Sequence, residues 1–495
     1  MMQRKRLHLT GRIWATVLVA SVLSACGAQV EPVQSPVELP DSLGPDGQDY
    51  PQRWWTALGD EQLNSLMEQA LVDNMSVRMA WDRLAQARAL VVSRSTPLYP
   101  AVDVTGSASR RVSDIEPAGR SYQTTLSLGL AASYEVDLWG RVRSSALAAE
   151  FDRAASAQQL QAAGITLSSQ IASAWYRLVE LREQLKLLDQ QVDTNRDLLE
   201  IIAERFRRGQ VRAPDVLQQR QVLERTRGER VLVASSVEVQ ENALAILLGR
   251  APQGFSAPDQ TDLPALPALP EVGLPAEWIR ARPDVRAAEL QVAAADRRTA
   301  VAIAEQFPRL TLSANAETSA ERFSDLFDNW VASLAGDLIG PVFDAGQREA
   351  EVAYRRAVAA ERLHEYGRTI LTALGEVDDA LVEEHSQRAY LASLNKQLKL
   401  SDQSLQEVRA GYIKGTQDFI RFLDALLSYQ RLQRTVLQAR RELVTSRVRL
   451  YVAIGRGWEM PAPPLPPRRV IGPFEALGGK GDPLPAAEQN TEDAS

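Results

Sequence analysis

Apolar residues recur every three to four positions over 141–208, a stretch with no Pro and a single Gly, Gly164. Two rows with a spacing of seven run along it, and a sustained heptad pattern predicts a long helix that supercoils against neighbouring helices. A helix of this length extends about 100 Å at 1.5 Å per residue. The rows are Ile171, Leu178, Leu185, Val192, Leu199 and Phe206, and Ala174, Leu181, Leu188, Asn195 and Ile202.

The same pattern returns 206 residues later, at 347–414, with Glu384 as its one polar interruption. Three Gly-marked sites repeat at that offset, spaced by 69 and then 40 residues in both copies, and Pro100 and Pro308 form a fourth pair offset by 208. The chain is therefore predicted to contain two copies of one unit, joined by a Pro-rich linker. The Gly pairs are Gly140 with Gly346, Gly209 with Gly415, and Gly249 with Gly455.

Each long helix is predicted to turn at a Gly into a shorter helix. Gly209 and Gly415 fit the left-handed position that ends a helix, and Pro214 fits the first turn of the next one. A still shorter helix leads each unit, so each unit has three predicted helices. The shorter helices are predicted at 60–95 and 215–248 in the first unit, and at 284–306 and 417–454 in the second.

Between its first helix and its long helix, each unit changes to a period of two, which predicts β-strands. The strand pairs fall within 98–137 and 308–340, with aliphatic residues on one face and Ser, Thr and acids on the other. Segments of about ten residues with this alternation are typical of a transmembrane β-barrel with a wet interior. Two hairpins of a soluble sandwich are the alternative.

Four strands cannot close a barrel, because the smallest outer-membrane barrels have about eight strands. Two copies of the chain would give eight strands and an interior filled by side chains, whereas three would give twelve and leave room for a channel. An inward row of Ser, Thr and Asp is unsuited to dry packing. We therefore expect a homotrimer, in which three sets of long helices also surround one axis.

Composition excludes several other classes of function. The chain has 56 Lys and Arg against 63 Asp and Glu, a net charge of -7, and no basic run, so nucleic acid is not an expected partner. One Cys and three His are too few for a zinc ribbon, an iron–sulfur cluster or a disulfide framework. Nucleotide-binding loops and hydrolase or metalloprotease motifs are also absent from the sequence. The chain is predicted not to be an enzyme.

Isolated chemical groups on the helices have structural explanations. His364 and His385 are 21 residues apart on one helix, about 31 Å, and cannot share a metal ion. The acidic pairs at 378–379 and 383–384 fit a solvated helix face. Met75 and Met79 have helical spacing, which fits helix packing better than a relay of metal ligands. No metal site is predicted.

The N-terminus has the features of a bacterial signal peptide. Four basic residues precede an apolar stretch at 13–23. This stretch is too short to form a membrane-spanning helix, which needs roughly 20 residues. The stretch ends in Leu-Ser-Ala followed by Cys26, which resembles a lipobox, so Cys26 is predicted to carry lipid after cleavage. Gly27 resembles the sorting signal of outer-membrane lipoproteins. Apart from this covalent lipid, no cofactor is expected.

Several motifs resemble the TolC-like outer-membrane factors, and among them the OprM/NodT-type lipoproteins of tripartite RND efflux systems. The likeness covers nearly the whole mature chain. Besides the lipobox, it rests on the Tyr-Glu-Val-Asp-Leu-Trp-Gly-Arg motif at 134–141, Arg-Pro-Asp-Val-Arg-Ala-Ala-Glu at 282–289, Phe-Asp-Ala-Gly at 343–346, Gly-Tyr-Ile-Lys-Gly-Thr at 411–416, and Phe-Leu-Asp-Ala at 422–425.

The resemblance implies a mixed α and membrane β fold: a trimeric efflux duct in which a 12-stranded barrel continues into a periplasmic coiled-coil barrel of 12 helices. It also implies a belt partway along the helices, formed by 37–57, 254–277 and 458 onward. The resulting organisation is a signal peptide at 1–25, a lipidated segment and belt at 26–56, repeat 1 at 57–250, linker and belt at 251–279, repeat 2 at 280–457, and a belt and disordered tail at 458–495.

The resemblance also suggests where partners bind and where the duct narrows. The two helical turns would form the periplasmic tips that meet the adaptor protein, at Arg207, Arg208, Gly209 and Gln210, and at Lys414, Gly415 and Thr416. Family members carry acidic rings just after the second tip, and the matching positions are Arg421 and Asp424. Asp424 keeps the acid, whereas Arg421 departs from it. At i and i+3 the two share a helix face, so a pair within or between chains is possible.

Three functions remain open from the sequence. The favoured one is a passive outer-membrane conduit for drugs or other small compounds, delivered by an inner-membrane RND transporter and a periplasmic adaptor. A type I protein-secretion exit duct is the alternative within the same class. A coiled-coil lipoprotein that spans the periplasm without a pore belongs to a different class. Substrate identity is not encoded in any recognisable pocket motif.

Cys26→Ser should abolish acylation of the mature chain, because the thiol is the attachment atom for the lipid. Trimer formation should persist, because strands embedded in the membrane bind lipid independently of the anchor. Mass spectrometry of the mature N-terminus tests this expectation. An unmodified Cys26, or a chain that still begins at Met1, would contradict it.

Overall fold

The fold is mostly helical, with one small antiparallel sheet. A computed structural model describes residues 33–37, 53–117, 119–260, 262–266 and 276–455. The first repeat contains α1 (Glu61–Asp73), α2 (Met75–Ser95), β1 (Ala101–Ile115), β2 (Gly119–Val136), α3 (Arg141–Arg207) and α4 (Ala213–Leu247). The second contains α5 (Ala276–Ala281), α6 (Pro283–Ala304), β3 (Arg309–Ala320), β4 (Trp330–Ile339), α7 (Gln347–Ile413) and α8 (Phe419–Ile454).

The long helices α3 and α7 are equal in length, 67 residues each. The heptad pattern predicted them at 141–208 and 347–414, within one residue of the observed ends. Ile171, Leu178 and Leu188 of the predicted rows are fully buried, whereas Phe206 at the end of α3 is 45% exposed. The rows therefore mark a packed seam along α3 that continues to Ile202, and only the terminal Phe206 leaves it.

The single helix predicted at 60–95 is wrong, because Asn74 divides it into α1 and α2. The Asn74 backbone is extended, and its side-chain oxygen accepts hydrogen bonds from the backbone N–H groups of Ser76 and Val77. Its side-chain nitrogen donates to the Leu247 carbonyl, 2.8 Å away. Asn thus caps one helix while holding the end of another, a role that helical periodicity does not reveal.

The break also explains Gly249, the first-repeat member of the Gly249–Gly455 pair. Gly249 has φ of +72° and lies so close to the break that an added Cβ would sit 2.3 Å from the carbonyl oxygen of Asp73. Only a residue without a side chain permits this approach in a left-handed conformation. Gly249 is therefore required by the contact between the end of α4 and the α1–α2 break.

The four strands form one antiparallel sheet in the order β1-β2-β3-β4. Strands β2 and β3 join the two repeats, in a register that pairs Leu126 with Ala320 and Val136 with Leu310. This register aligns the apolar positions of all four strands on one face, as the alternation predicted. One row across the sheet is Val104, Leu130, Ala316 and Ala332, and another is Leu126, Ala108 and Ala320.

Polar residues in the helical seams are paired rather than solvated. Glu384 of α7 is fully buried and accepts two hydrogen bonds from Arg447 of α8, at 2.8 and 2.5 Å. Arg388 adds a third contact at 3.0 Å. The solvated face predicted for Glu384 is therefore wrong, because an arginine on the neighbouring helix offsets the cost of burying its charge. Asn195 is likewise buried, and its side-chain nitrogen donates to Thr226.

Two other predictions concern the surface of the helices. His364 and His385 are both exposed, as expected for surface histidines. Met75 and Met79 are more than half exposed, so the packing role predicted for them is wrong within one chain, because α2 turns this side away from its neighbours. In the part of the chain that the structure describes, no helix is both long and apolar enough to cross a membrane.

Arg447→Met should lower the free energy of unfolding by about 3 kcal/mol, because it leaves the buried Glu384 carboxylate with one partner fewer. Arg449→Met is the matched control on the same helix. Its ion pair with Glu383 is about half exposed, and its loss should cost less than about 1 kcal/mol. Chemical unfolding of the detergent-solubilised protein, followed by circular dichroism, measures both. Equal losses would show that the buried pair does not stabilise the fold.

Candidate functional site

The face of the sheet opposite the apolar one is lined by polar side chains. Ser107 and Ser127 face each other across β1 and β2 and share a hydrogen bond of 2.8 Å. Acidic residues outnumber basic ones on this face, so it would favour cations over anions. The polar face carries Asp103, Thr105, Arg111, Glu135, Arg309, Thr311, Asn315, Glu317, Ser333 and Asp337.

The sheet is joined to the long helices by a rigid junction. Glu135 at the end of β2 accepts two hydrogen bonds from Arg141, at 2.9 and 2.7 Å. Asp137 caps α3 by accepting from the backbone N–H groups of Val142 and Arg143. These contacts use the acids and Arg of the 134–141 motif, so the motif fixes the angle at which the strand enters the helix.

Trp139 of the same motif connects the two repeats. Its indole N–H donates to the carbonyl of Pro308, 2.8 Å away, and its ring stacks on Phe307 with centroids 4.7 Å apart. Pro308 directly precedes β3, the first strand of the second repeat. The contact therefore fixes the helix-side end of β2 beside the helix-side end of β3.

A similar cap begins the long helix of the second repeat. Asp344 accepts hydrogen bonds from the backbone N–H of Gly346 and from the Arg348 guanidinium. The Arg348 hydrogen bond, helped by the two backbone donors, holds the pKa of the Asp344 carboxyl below its ordinary value. The carboxylate is therefore kept charged at the positive end of a helix.

The first helical tip closes with two backbone hydrogen bonds around a left-handed Gly. Gly209 has φ of +70°, its N–H donates to Phe206, and the N–H of Gln210 donates to Arg205. This pattern is a Schellman motif, as Gly at this position predicted. Arg208 hydrogen-bonds Glu204 at 2.8 Å, and this bond lowers the pKa of the Glu204 carboxyl, with Arg207 contributing.

The second tip repeats this geometry. Gly415 has φ of +74°, its N–H donates to Tyr412, and the N–H of Thr416 donates to Gly411. The Thr416 hydroxyl also donates to the Gly411 carbonyl, at 3.1 Å. Lys414, Gly415 and Thr416 are all exposed. Both tips therefore present basic and polar groups on rigid turns.

An aromatic cluster that the sequence analysis missed packs the two tips together. Tyr412 stacks on Phe422 with centroids 5.4 Å apart and rings nearly parallel, while the Arg205 guanidinium of the first hairpin lies 4.8 Å above the Tyr412 ring. Phe419 and Ile202 complete the buried cluster. Tyr412 lies in the predicted heptad pattern of 347–414, and both Tyr412 and Phe422 stand in motifs named in the sequence analysis, but neither pattern predicts that the two rings stack.

The predicted aperture residues lie on the same first turns of α8 that supply Phe419 and Phe422 to this cluster. The backbone N–H of Arg421 donates to the Asp418 carboxylate, which caps α8. Both Arg421 and Asp424 are exposed, and the ion pairs among the described residues include none between them. The pair suggested within one chain is therefore not formed, because both side chains are free to extend into solvent.

Other predicted positions fall partly or wholly outside the described residues. Cys26 and 458–495 lie outside them, as do parts of the predicted belt. Within the described part, Trp54 of the belt stacks on Tyr451 with centroids 5.7 Å apart and donates to Ser168 at 3.2 Å. Among the residues described, no group of three or more His, Cys, Asp or Glu could hold a metal ion.

The sequence is similar to outer-membrane proteins of efflux systems. The family model for outer membrane efflux proteins matches residues 66–250 and 274–456, one segment in each repeat. The pyoverdine export outer membrane protein OpmQ of Pseudomonas aeruginosa is 29% identical over 459 residues, 88% of this chain and 95% of that protein. The probable efflux pump outer membrane protein SepC of Pseudomonas putida is 30% identical over 421 residues, 82% of this chain and 85% of SepC.

Solved structures of channels have the same fold. The outer-membrane channel OprN superposes with a TM-score of 0.80 at 27% identity, covering 87% of this chain and all of OprN. The open state of the MtrE outer membrane channel of Neisseria gonorrhoeae gives 0.76 at 25% identity, covering 86% of this chain and 97% of MtrE. The chain belongs to the outer membrane efflux protein family and is an outer-membrane channel component of an efflux system.

Proposed function

We propose that three copies of the chain form a passive duct in the outer membrane, with a 12-stranded barrel continuous with a periplasmic barrel of 12 helices. One observation carries this proposal. A four-stranded sheet has one apolar and one polar face and lies at one end of two helical hairpins, and in the described part of the chain its two edge strands have no further strand beside them. In water alone the apolar face would be exposed, and in lipid alone the polar face and the strand edges would be. A closed barrel places the apolar face against lipid and the polar face against water.

Three copies fit these edges better than two. Each chain supplies four strands, so two copies give the eight strands of a barrel whose interior is filled by side chains. The polar face here carries the acidic side chains Asp103, Glu317 and Asp337, and burying unpaired charges in a dry interior costs several kcal/mol each. Twelve strands leave room for water around these groups.

A lipid at Cys26 is the second part of the proposal. The lipobox-like sequence precedes the belt, so an acylated Cys26 would tie the N-terminus to the inner leaflet of the outer membrane. Two or more acyl chains suffice for stable anchoring at roughly 0.8 kcal/mol per buried CH₂ group. The anchor and the barrel would then hold the chain in the same membrane.

The partners that fit this duct are a periplasmic adaptor at the helical tips and an inner-membrane RND transporter. The tips are the ends of the hairpins farthest from the sheet, and they expose Arg208, Gln210, Lys414 and Thr416 on rigid turns. Similarity to proteins named for pyoverdine export and for toluene efflux supports small molecules as cargo. A wide duct selects weakly, so selection among substrates would belong to the transporter.

Two alternatives make different predictions. A type I protein-secretion exit duct would share the pore and differ in its inner-membrane partner. A coiled-coil scaffold without a pore would show no conductance under any condition. The polar face of the sheet favours a pore, because a scaffold has no need for charged residues inside a membrane-embedded sheet.

Purified protein in planar bilayers should conduct ions, and Asp424→Ala should raise that conductance and weaken its cation preference. Three Asp424 carboxylates near one axis would attract cations and narrow the duct, unless Arg421 of the same or a neighbouring chain pairs with them. Arg421→Ala tests that pairing. A protein without conductance would refute the duct. Unchanged conductance and cation preference in both variants would place the constriction elsewhere.

Crosslinkers at Gln210 and Thr416 should capture the adaptor in cells, because both residues are exposed at the tips. Ser113, on the outward end of the sheet, is the control position and should capture none. Immunoblotting for the adaptor measures both. Capture from Ser113 alone would place the adaptor at the wrong end of the molecule and contradict the proposed orientation.

A further inference from the structure

The apolar face of the sheet carries a basic and aromatic group just beyond its last aliphatic pair. Strands β1 and β2 continue past the four-stranded region as a two-stranded hairpin. On the apolar side of this hairpin, the residues change from aliphatic to charged, aromatic and polar. Moving outward, the pairs on this side are Ala108 with Leu126, Arg110 with Thr124, Val112 with Tyr122, and Asp114 with Arg120.

The height of this group follows from strand geometry. The aliphatic positions of β2 run from Val136 to Leu126, ten steps of about 3.3 Å, which span about 25 Å of height at a tilt of about 40°. That span equals the apolar band of an outer-membrane barrel. Arg110 lies two residues beyond Ala108, about 5 Å higher on the same scale. Its backbone is therefore at the level of the lipid headgroups.

The leaflet follows from the chain direction. β1 comes after α2 and β2 leads into α3, so all helices lie at one end of the sheet and the hairpin turn at the other. With the helices in the periplasm, the turn is on the cell exterior. Arg110 is thus near the outer leaflet.

Side-chain geometry directs the Arg110 guanidinium away from the hydrocarbon. Its Cζ atom lies 5.4 Å from the centre of the Tyr122 ring, one pair farther out, which is the range of a cation–π interaction. Arg120 pairs with Asp114 at 3.4 Å, so those two charges offset each other. The ion pairs of the described residues include no acid for Arg110. The group therefore keeps one uncompensated positive charge.

We propose that Arg110, supported by Tyr122, binds the phosphate of an outer-leaflet phosphorylated glycolipid. The planar guanidinium offers two parallel N–H donors, which match the oxygens of a phosphate. The lipid acyl chains would lie along the aliphatic rows below. This site rests on the proposed function, because it requires the apolar face of the sheet to be embedded in the membrane.

Native mass spectrometry of the full-length protein with diphosphoryl lipid A tests the site. Arg110→Gln should weaken binding by at least about tenfold, because it removes a charged hydrogen-bond donor. Arg111→Gln is the matched control, since it removes the same charge from the opposite face of the same strand. It should bind as the unchanged protein does. Arg110→Lys keeps the charge and loses the two parallel N–H donors, so its affinity for diphosphoryl lipid A should lie between those of Arg110→Gln and the unchanged protein.

The lipid provides a second control. Dephosphorylated lipid A should bind equally to the unchanged protein and to Arg110→Gln, since the proposed contact is to phosphate. Equal binding of diphosphoryl lipid A by both proteins, or an equal loss in Arg111→Gln, would overturn the site. Bilayer conductance of Arg110→Gln should match that of the unchanged protein. If the unchanged protein does not conduct, the proposed function fails and this inference fails with it.

Discussion

The unpaired backbone edges of β1 and β4 govern the arrangement of the whole molecule. Among the described residues each of these strands pairs on one side only, and in hydrocarbon every unsatisfied N–H or C=O group costs several kcal/mol. In the proposed barrel the edges of neighbouring copies satisfy these groups, which would couple membrane insertion to oligomerisation. The contacts of Glu135 and Trp139 fix the helices to the sheet, so sheets arranged around one axis would place the helices around the same axis.

A different constraint applies to the helices. Two helices that pack through about ten similar heptads could shift by seven residues relative to each other at modest cost in apolar contacts. Buried polar pairs oppose such a slip. Glu384 with Arg447, and the Asn195 side-chain nitrogen with Thr226, are hydrogen-bonded in this register and would be buried without these partners after a slip. Removing one partner of a buried pair costs several kcal/mol. The polar interruptions of the seam are therefore consistent with a role in fixing how α7 aligns with α8, and α3 with α4.

Periodicity predicted the long helices, the strands and their two faces, and the Gly turns at 209 and 415, because each of these features repeats along the chain. It failed where a single side chain acts across the fold. The break at Asn74 depends on a carbonyl of residue 247, and the partner of Glu384 lies 63 residues away. The Arg205 guanidinium likewise reaches the Tyr412 ring only once both hairpins are in place. Sequence spacing alone carries no information on such contacts.

The two repeats differ most at the outer end of the sheet. From the paired Pro to the paired Gly, the first repeat has 40 residues and the second 38, nearly the same length of chain. The first uses it for strands of 15 and 18 residues, whereas the second has strands of 12 and 10 with a helical turn at Phe323–Asp325 between them. Consequently β1 and β2 extend about 23 Å along the strand beyond the Leu126–Ala320 pair. At the periplasmic end the strand pairs of the two repeats must match, because each continues into a long helix of the same length. At the outer end they are free to differ, so the hairpin of the first repeat presents side chains that the second repeat lacks.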